Sequence, residues 1–253
     1  MSPIREGPTV PGARAEDFEA GGFLPASFLD WPGRVAAVLF ARGCNLRCPW
    51  CHNPDLVLRR TEPYPLGPIL SALRERRPFL DGLLISGGEP AIQPALLPLL
   101  RRIREELDLP VCLNTNGTRP DVVRACLEEG LILRVAMDVK APPRLYPRLC
   151  GLEGGGGKRG KAGTPAGADG TPGAFDGEET PDRIAPRVLE TLALLRERGA
   201  DYELRTTRAP ELMAEEGALE ELRALLGDDP RWRLQDFDGR HPLLGEVRRG
   251  HPG

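Results

Sequence analysis

Apolar residues recur along this chain with two alternating periods. Short runs rich in Val, Ile, Leu and Phe occupy 35–40 (VAAVLF), 83–86, 111–114 and 133–139, and two more fall at 202–207 and 232–236. Such short, largely apolar runs read as buried strands. Between and after them, 66–76, 95–107, 121–129, 184–198 and 213–226 place Leu, Ile and Val at helical spacing, with Arg and Glu filling the other faces. The punctuation agrees: Gly130 and Gly199 fall where helices end, and Pro120 falls near a helix start. Strand–helix alternation repeated about six times implies a parallel sheet with helices outside it. At this length the pattern predicts an incomplete (β/α)6 TIM-type barrel with a parallel sheet; an open doubly wound sheet is the second arrangement it fits.

One stretch breaks the rhythm. Residues 151–182 are mostly Gly, Ala, Pro, Thr and charge, with Phe175 the lone aromatic. Too little apolar surface is available there to offset the entropy of ordering, so the segment reads as a disordered insertion. The expected organisation is an N-terminal extension at 1–22, a barrel built from 23–150 and 183–240, the insertion at 151–182, and a tail at 241–253. Charged residues make up 28% and hydrophobic residues 40%, which suits a globular domain with a real core. The net charge of −3 gives no electrostatic reason to expect nucleic acid or an anionic membrane as partner. No apolar run approaches membrane-spanning length and the first fifteen residues contain no apolar signal segment, so the expected location is the cytoplasm.

The six cysteines are unevenly spread. Cys44, Cys48 and Cys51 crowd into eight residues, whereas Cys112, Cys126 and Cys150 are scattered. Cys112 and Cys126 lie within apolar patterns and read as small buried hydrophobes, while Cys150 has no assigned role beyond a spare thiol. The crowded three follow the strand at 35–40 directly, at the end of a parallel strand where sites are built. Three thiolates on one loop can wrap a corner of an iron–sulfur cube, and they leave the fourth iron without a protein ligand. Other readings use the same letters. Cys48 to His52 matches the C-x-x-C-H haem-attachment pattern, Cys48 and Cys51 could form a redox pair, and three Cys with His52 could hold zinc.

The second signal is the turn Ser86-Gly87-Gly88-Glu89-Pro90, which closes the next strand. Two glycines after a strand let a ligand approach backbone where a Cβ would collide, and Glu89 adds a carboxylate suited to a cationic ligand. A plain strand-to-helix turn is the alternative.

At these residues the chain resembles the radical S-adenosylmethionine (SAM) superfamily, marked by a C-x3-C-x2-C loop after the first strand and a GGE-type turn after the second. Trp50, before the third cysteine, also fits. The segments 28–33 (FLDWPG), 51–54 (CHNP), 114–117 (NTNG), 137–140 (MDVK) and 203–207 (ELRTT) resemble those of activating proteins for anaerobic ribonucleoside-triphosphate reductase. They also resemble the wider group of glycyl-radical-enzyme activases. The resemblance implies a [4Fe–4S] cluster on Cys44, Cys48 and Cys51, with SAM chelating the open iron. It places Trp50, Gly87, Gly88, Glu89, Asn116, Asp138, Lys140 and Arg205 near SAM, with Gln235 a weaker candidate.

That resemblance further implies reductive cleavage of SAM to a 5′-deoxyadenosyl radical, which takes hydrogen from a glycine of a partner glycyl radical enzyme. A low-potential donor such as flavodoxin or ferredoxin is then required. Two departures stand out. Asn114 occupies a position where activases of the pyruvate formate-lyase type tend to carry an Asp associated with a monovalent cation. The last strand carries Gln235 to Asp238 where those relatives place a His.

Overall fold

The computed structural model describes residues 12–151, 181–227, 229–240 and 243–245. Seven strands form one sheet in sequence order: β1 (Ala20–Ser27), β2 (Ala36–Ala41), β3 (Gly82–Gly87), β4 (Val111–Thr115), β5 (Arg134–Asp138), β6 (Tyr202–Thr207) and β7 (Trp232–Gln235). Strand β1 runs antiparallel to β2, and β2 to β7 are all parallel. The six parallel strands are the six expected, each within two residues at either end. Helices α1 (Pro54–Val57), α2 (Leu66–Arg76), α3 (Leu96–Leu107), α4 (Pro120–Glu128), α5 (Tyr146–Leu149), α6 (Pro181–Glu197), α7 (Pro210–Met213) and α8 (Ala218–Leu226) fill the crossovers. The result is an open (β/α)6 barrel with one extra leading strand.

The sheet begins earlier than the hydrophobic pattern implies. Strand β1 (AGGFLPAS) carries two glycines and Pro25, a composition that propensity reads as loop. Its place at the sheet edge tolerates a proline, because one side of the strand needs no donor. The helix expected over 213–226 starts only at Ala218, since Gly217 takes a left-handed φ of +73°. Of the expected insertion only Gly151, Pro181 and Asp182 lie within the described residues, and of the tail only 243–245.

Strand alternation sorts side chains into two layers. On the inner face, Ala36, Val38, Leu84, Cys112 and Ala136 pack with Trp31, and Phe40 joins them. Trp31 plugs the bottom of the barrel, where Gly82 makes room for its ring; a Cβ there would stand 2.6 Å from the indole. The outer layer is the larger core, Leu- and Ile-rich, between the sheet and the helices. Toward the strand ends the inner face turns polar, through Ser86, Asn114, Asp138, Arg205 and Gln235, all of which line one cavity. Cys112 is therefore a barrel-interior residue, and Cys126 lies in the outer core; both are buried, as expected.

Candidate active site at the strand ends

The loop after β2 carries the three crowded cysteines. Gly43 opens it with φ +80° and donates its N–H to the Leu56 carbonyl. Cys51 N–H bonds the Cys48 carbonyl at 3.0 Å, closing a turn that the chain's last described residues hold from outside. There, Leu244 N–H bonds the Cys51 carbonyl and Gly245 N–H bonds the Pro49 carbonyl. His52 stacks on Phe237 with centroids 5.7 Å apart and lies against the Asp238 carbonyl, so its ring is already engaged. Trp50 is buried in the outer core.

The glycine turn interlocks with this loop. Gly88 N–H bonds the Ala41 carbonyl and Glu89 N–H bonds the Gly43 carbonyl at 2.8 Å. A Cβ on Gly87 would stand 2.5 Å from the Ala41 nitrogen, and one on Gly88 would fall on the Gly43 carbonyl. The space on the Cβ side of these glycines is thus taken by the chain's own backbone. Glu89 is similarly occupied. Its Oε1 accepts from Ala91 N–H and Thr115 Oγ1, and its Oε2 accepts from Asn116 N–H at 2.6 Å. Of the carboxylate's roughly four acceptor directions, one remains. Burial pushes this carboxyl up to about 7, against the pull of those three donors.

A ring of amides ties the cysteine loop to the end of β4. Asn116 Nδ2 donates to Asn45 Oδ1, Asn45 Nδ2 donates to Thr118 Oγ1, and Thr118 Oγ1 donates to Asn116 Oδ1, all within 2.9 Å. Asn116 Nδ2 also reaches the Cys44 sulfur at 3.9 Å. Across the mouth, register sets Asp138 beside Arg205. Asp138 accepts from Arg205 Nε at 2.9 Å and from Lys140 Nζ at 3.2 Å. Burial alone would raise the Asp138 carboxyl, but the two cations outweigh it and hold it below the usual range.

All of the residues singled out from the sequence line one cavity of about 300 Å³: Cys44, Cys48, Trp50, Cys51, Gly87, Gly88, Glu89, Asn116, Asp138, Lys140 and Arg205. The sequence reading passed over Ser86, Asn53 and Thr207 as site residues, and these line it as well. Each is a short polar residue inside a segment the sequence singled out, without a feature of its own that marks it as part of the site. Asn114 Nδ2 donates to Ser86 Oγ, which leaves the buried Asn114 Oδ1 without a partner on the cavity wall.

Residues 38–159 match the model of the radical SAM superfamily. This chain belongs to that superfamily. It is a radical SAM oxidoreductase, and its cofactors are a [4Fe–4S] cluster and SAM. A Methanocaldococcus jannaschii protein named for glycyl-radical enzyme activation is 29% identical over 90% of this chain and 83% of its own length. The pyruvate formate-lyase-activating enzyme of Staphylococcus aureus is 32% identical over 35% of this chain and 38% of its own. The Streptococcus suis SuiB structure bound to SAM shares the fold, with a TM-score of 0.53 at 15% identity over 82% of this chain and 43% of that one. This radical SAM chain therefore spans about two fifths of the last two proteins.

The residues present fit both cofactors. Among the described residues no three His, Cys, Asp or Glu side chains are grouped to hold one metal ion. A cube takes each thiolate at a different iron and so asks for spread donors around a cavity, which is what Cys44, Cys48 and Cys51 provide. Burial holds the Cys44 and Cys51 thiols above their usual range in the metal-free chain, and a bound metal's charge favours the thiolates. For a zwitterionic amino acid, the wall offers an unpartnered acceptor at Asn114 Oδ1 and the cationic groups of Lys140 and Arg205.

Proposed function

We propose that this radical SAM enzyme generates a glycyl radical on a partner enzyme, and that the partner is an anaerobic ribonucleoside-triphosphate reductase. The observation that carries the reading is the convergence of three elements on one cavity: the cysteine loop, the glycine turn locked against it, and the Asp138–Lys140–Arg205 cluster. Similarity over 90% of the chain to a protein named for glycyl-radical enzyme activation supports the class of partner. The segments at 28–33, 114–117 and 137–140 support the reductase branch.

Cys44, Cys48 and Cys51 would hold three irons of the cluster. Gly87 and Gly88, with Asn114 Oδ1, would receive the SAM amino group, and Lys140 and Arg205 its carboxylate and ribose. Trp50, Asn116 and the remaining acceptor direction of Glu89 would complete the pocket, and Asp138 would hold the two cations in place. When bound, the two cofactors supply one-electron cleavage of the sulfonium carbon–sulfur bond, and with it a primary carbon radical able to take hydrogen from a glycine Cα. The chain's own part is to exclude water from that event, for which the inner layer sealed by Trp31 closes the barrel from below. The electron would come from a flavodoxin or ferredoxin in the cytoplasm.

The test is anaerobic. The reconstituted enzyme, SAM, dithionite and a candidate reductase are mixed, and the glycyl radical is sought by electron paramagnetic resonance. A radical with wild type and none with Cys48→Ala is the expected result. SAM cleavage that proceeds without any radical on the reductase would transfer the activity to another partner.

A further inference from the structure

Asn116 lines the cavity, yet its amide makes all of its hydrogen bonds within the chain. It follows β4 and is buried. Its Oδ1 accepts from the Thr118 N–H at 3.0 Å and from Thr118 Oγ1 at 2.7 Å. A backbone N–H can only donate, so the amide must present its oxygen to Thr118 and its NH2 group to the opposite side. That side is the cysteine loop. One hydrogen goes to Asn45 Oδ1 at 2.9 Å, and the other faces the Cys44 sulfur at 3.9 Å. Asn45 Nδ2 closes the ring on Thr118 Oγ1 at 2.8 Å. Thr118 is fully buried outside the cavity lining, and Thr191 Oγ1 anchors its turn by donating to the Gly117 carbonyl at 2.7 Å. From within the loop, the Leu46 N–H reaches the same sulfur at 3.4 Å.

We propose that Asn116 is a positioning residue for the cluster: Thr118 fixes its amide with one N–H toward the Cys44 sulfur, and that donor raises the reduction potential of the cluster Cys44 holds. The proposal rests on the reading of Cys44 as a ligand. It gives Asn116 a role toward the cluster in place of a polar contact to SAM, since no donor or acceptor of its amide is left over for a second molecule. A thiolate accepts hydrogen bonds and donates none, and its charge strengthens them. Each such bond draws negative charge off the sulfur, which favours the reduced and more negative cluster; bonds of this kind are among the determinants of cluster potential. Leu46 supplies its donor from the backbone, whatever its side chain. Asn116 supplies one only while the ring holds its amide in this orientation, so this second contribution is set by side chains at the end of β4.

The experiment uses the full chain, reconstituted anaerobically as wild type, Asn116→Ala, Thr118→Val, Thr118→Ser, the double variant Asn116→Ala/Thr118→Val, and Cys44→Ala. Iron and sulfide content are measured, and the midpoint potential is read from the cluster's paramagnetic signal across a redox titration. SAM is left out, so that changes in its binding do not enter the potential. Asn116→Ala is expected to load as much iron as wild type and to show a midpoint shifted to more negative potential. Thr118→Val leaves only the backbone N–H to orient the amide and is expected to show part of that shift. Thr118→Ser keeps the hydroxyl and should keep the wild-type midpoint. The double variant should match Asn116→Ala, because the ring acts only through that amide. Equal midpoints for wild type and Asn116→Ala would overturn the proposal, as would a Thr118→Val shift that adds in full to that of Asn116→Ala. If Asn116→Ala loads no iron, the two Thr118 variants decide, and equal midpoints in that pair overturn the proposal. If Cys44→Ala loads like wild type, the ligand reading beneath the proposal fails, whatever the other variants do.

Discussion

The carbonyl of Gly43 occupies the position a Cβ on Gly88 would need, and the same carbonyl accepts the Glu89 N–H. Two segments 45 positions apart in the chain are thereby joined backbone to backbone, with no side chain between them. Replacing Gly88 with Ala forces either the cysteine loop or the glycine turn to move, and both are hydrogen-bonded backbone that cannot swing aside. The expected cost is about 3 kcal/mol in urea unfolding, the upper end of overpacking effects. Cluster loading should fall with it, because Cys44 is the next residue. Gly67 provides the contrast. It lies in α2 with nothing within 4 Å of a Cβ and no left-handed φ, so Gly67→Ala should leave loading intact. It should also raise stability by up to about 1 kcal/mol. Equal stability for Gly88→Ala and wild type would refute the interlock.

Glu89 gives a prediction about pH in the cluster-free protein. Burial lifts its carboxyl from 4.5 to about 7. The folded chain thus binds this proton more tightly than the unfolded chain does. The stability the group contributes is complete below about 4.5, declines as pH rises toward 7, and is gone above it. The span amounts to about 3 kcal/mol. Urea unfolding of wild type and Glu89→Gln at about pH 5 and pH 8 should show wild type losing that much more than the variant over the interval. Parallel losses in the two proteins would mean that Glu89 is ionised throughout.

What the sequence made legible follows from how each feature is encoded. Strands β2 to β5 announce themselves because both of their faces are apolar for most of their length, β6 by its alternation of buried and half-buried positions, and the helix over 66–76 matches residue for residue because its apolar stripe is unbroken. The edge strand β1 hides, since an edge tolerates the Gly and Pro that propensity penalises. The site divides in the same way. Cys44, Cys48, Cys51, Gly87 and Gly88 stand in dense local spacings, so they could be named without coordinates. Asn45, Asn114 and Cys150 could not be given their partners. Asn45 meets Thr118, Asn114 meets Ser86 and the Cys150 carbonyl meets the Arg47 N–H across 73, 28 and 103 positions, through strand register and crossover geometry that no short window contains. The engagement of Glu89 by Thr115 and Asn116 was out of reach for the same reason: its motif lies in one turn and its partners on the next strand.

Asp138 supports the third prediction. It is a single carboxylate shared by two cations, Arg205 across the β5–β6 register and Lys140 two residues on. Its side chain is one-third exposed, toward the cavity, so the pair is screened less than a surface bridge and more than a core one. Asp138→Asn removes the charge and leaves two cations facing each other. The expected loss is about 1–3 kcal/mol at neutral pH. That loss should hold constant between about pH 5 and pH 8, because a carboxyl held below the usual range contributes above its unfolded value of 3.8 and fades only as pH falls through its lowered one. Removing one cation as well should relieve the strain on the other. The double variant Asp138→Asn/Lys140→Met should therefore lose less than the two single variants added together, whereas strict additivity would mean that the two residues are not coupled. The pH-flat profile also separates this carboxylate from Glu89, whose contribution must decline across the same interval, so one set of unfolding curves tests both assignments.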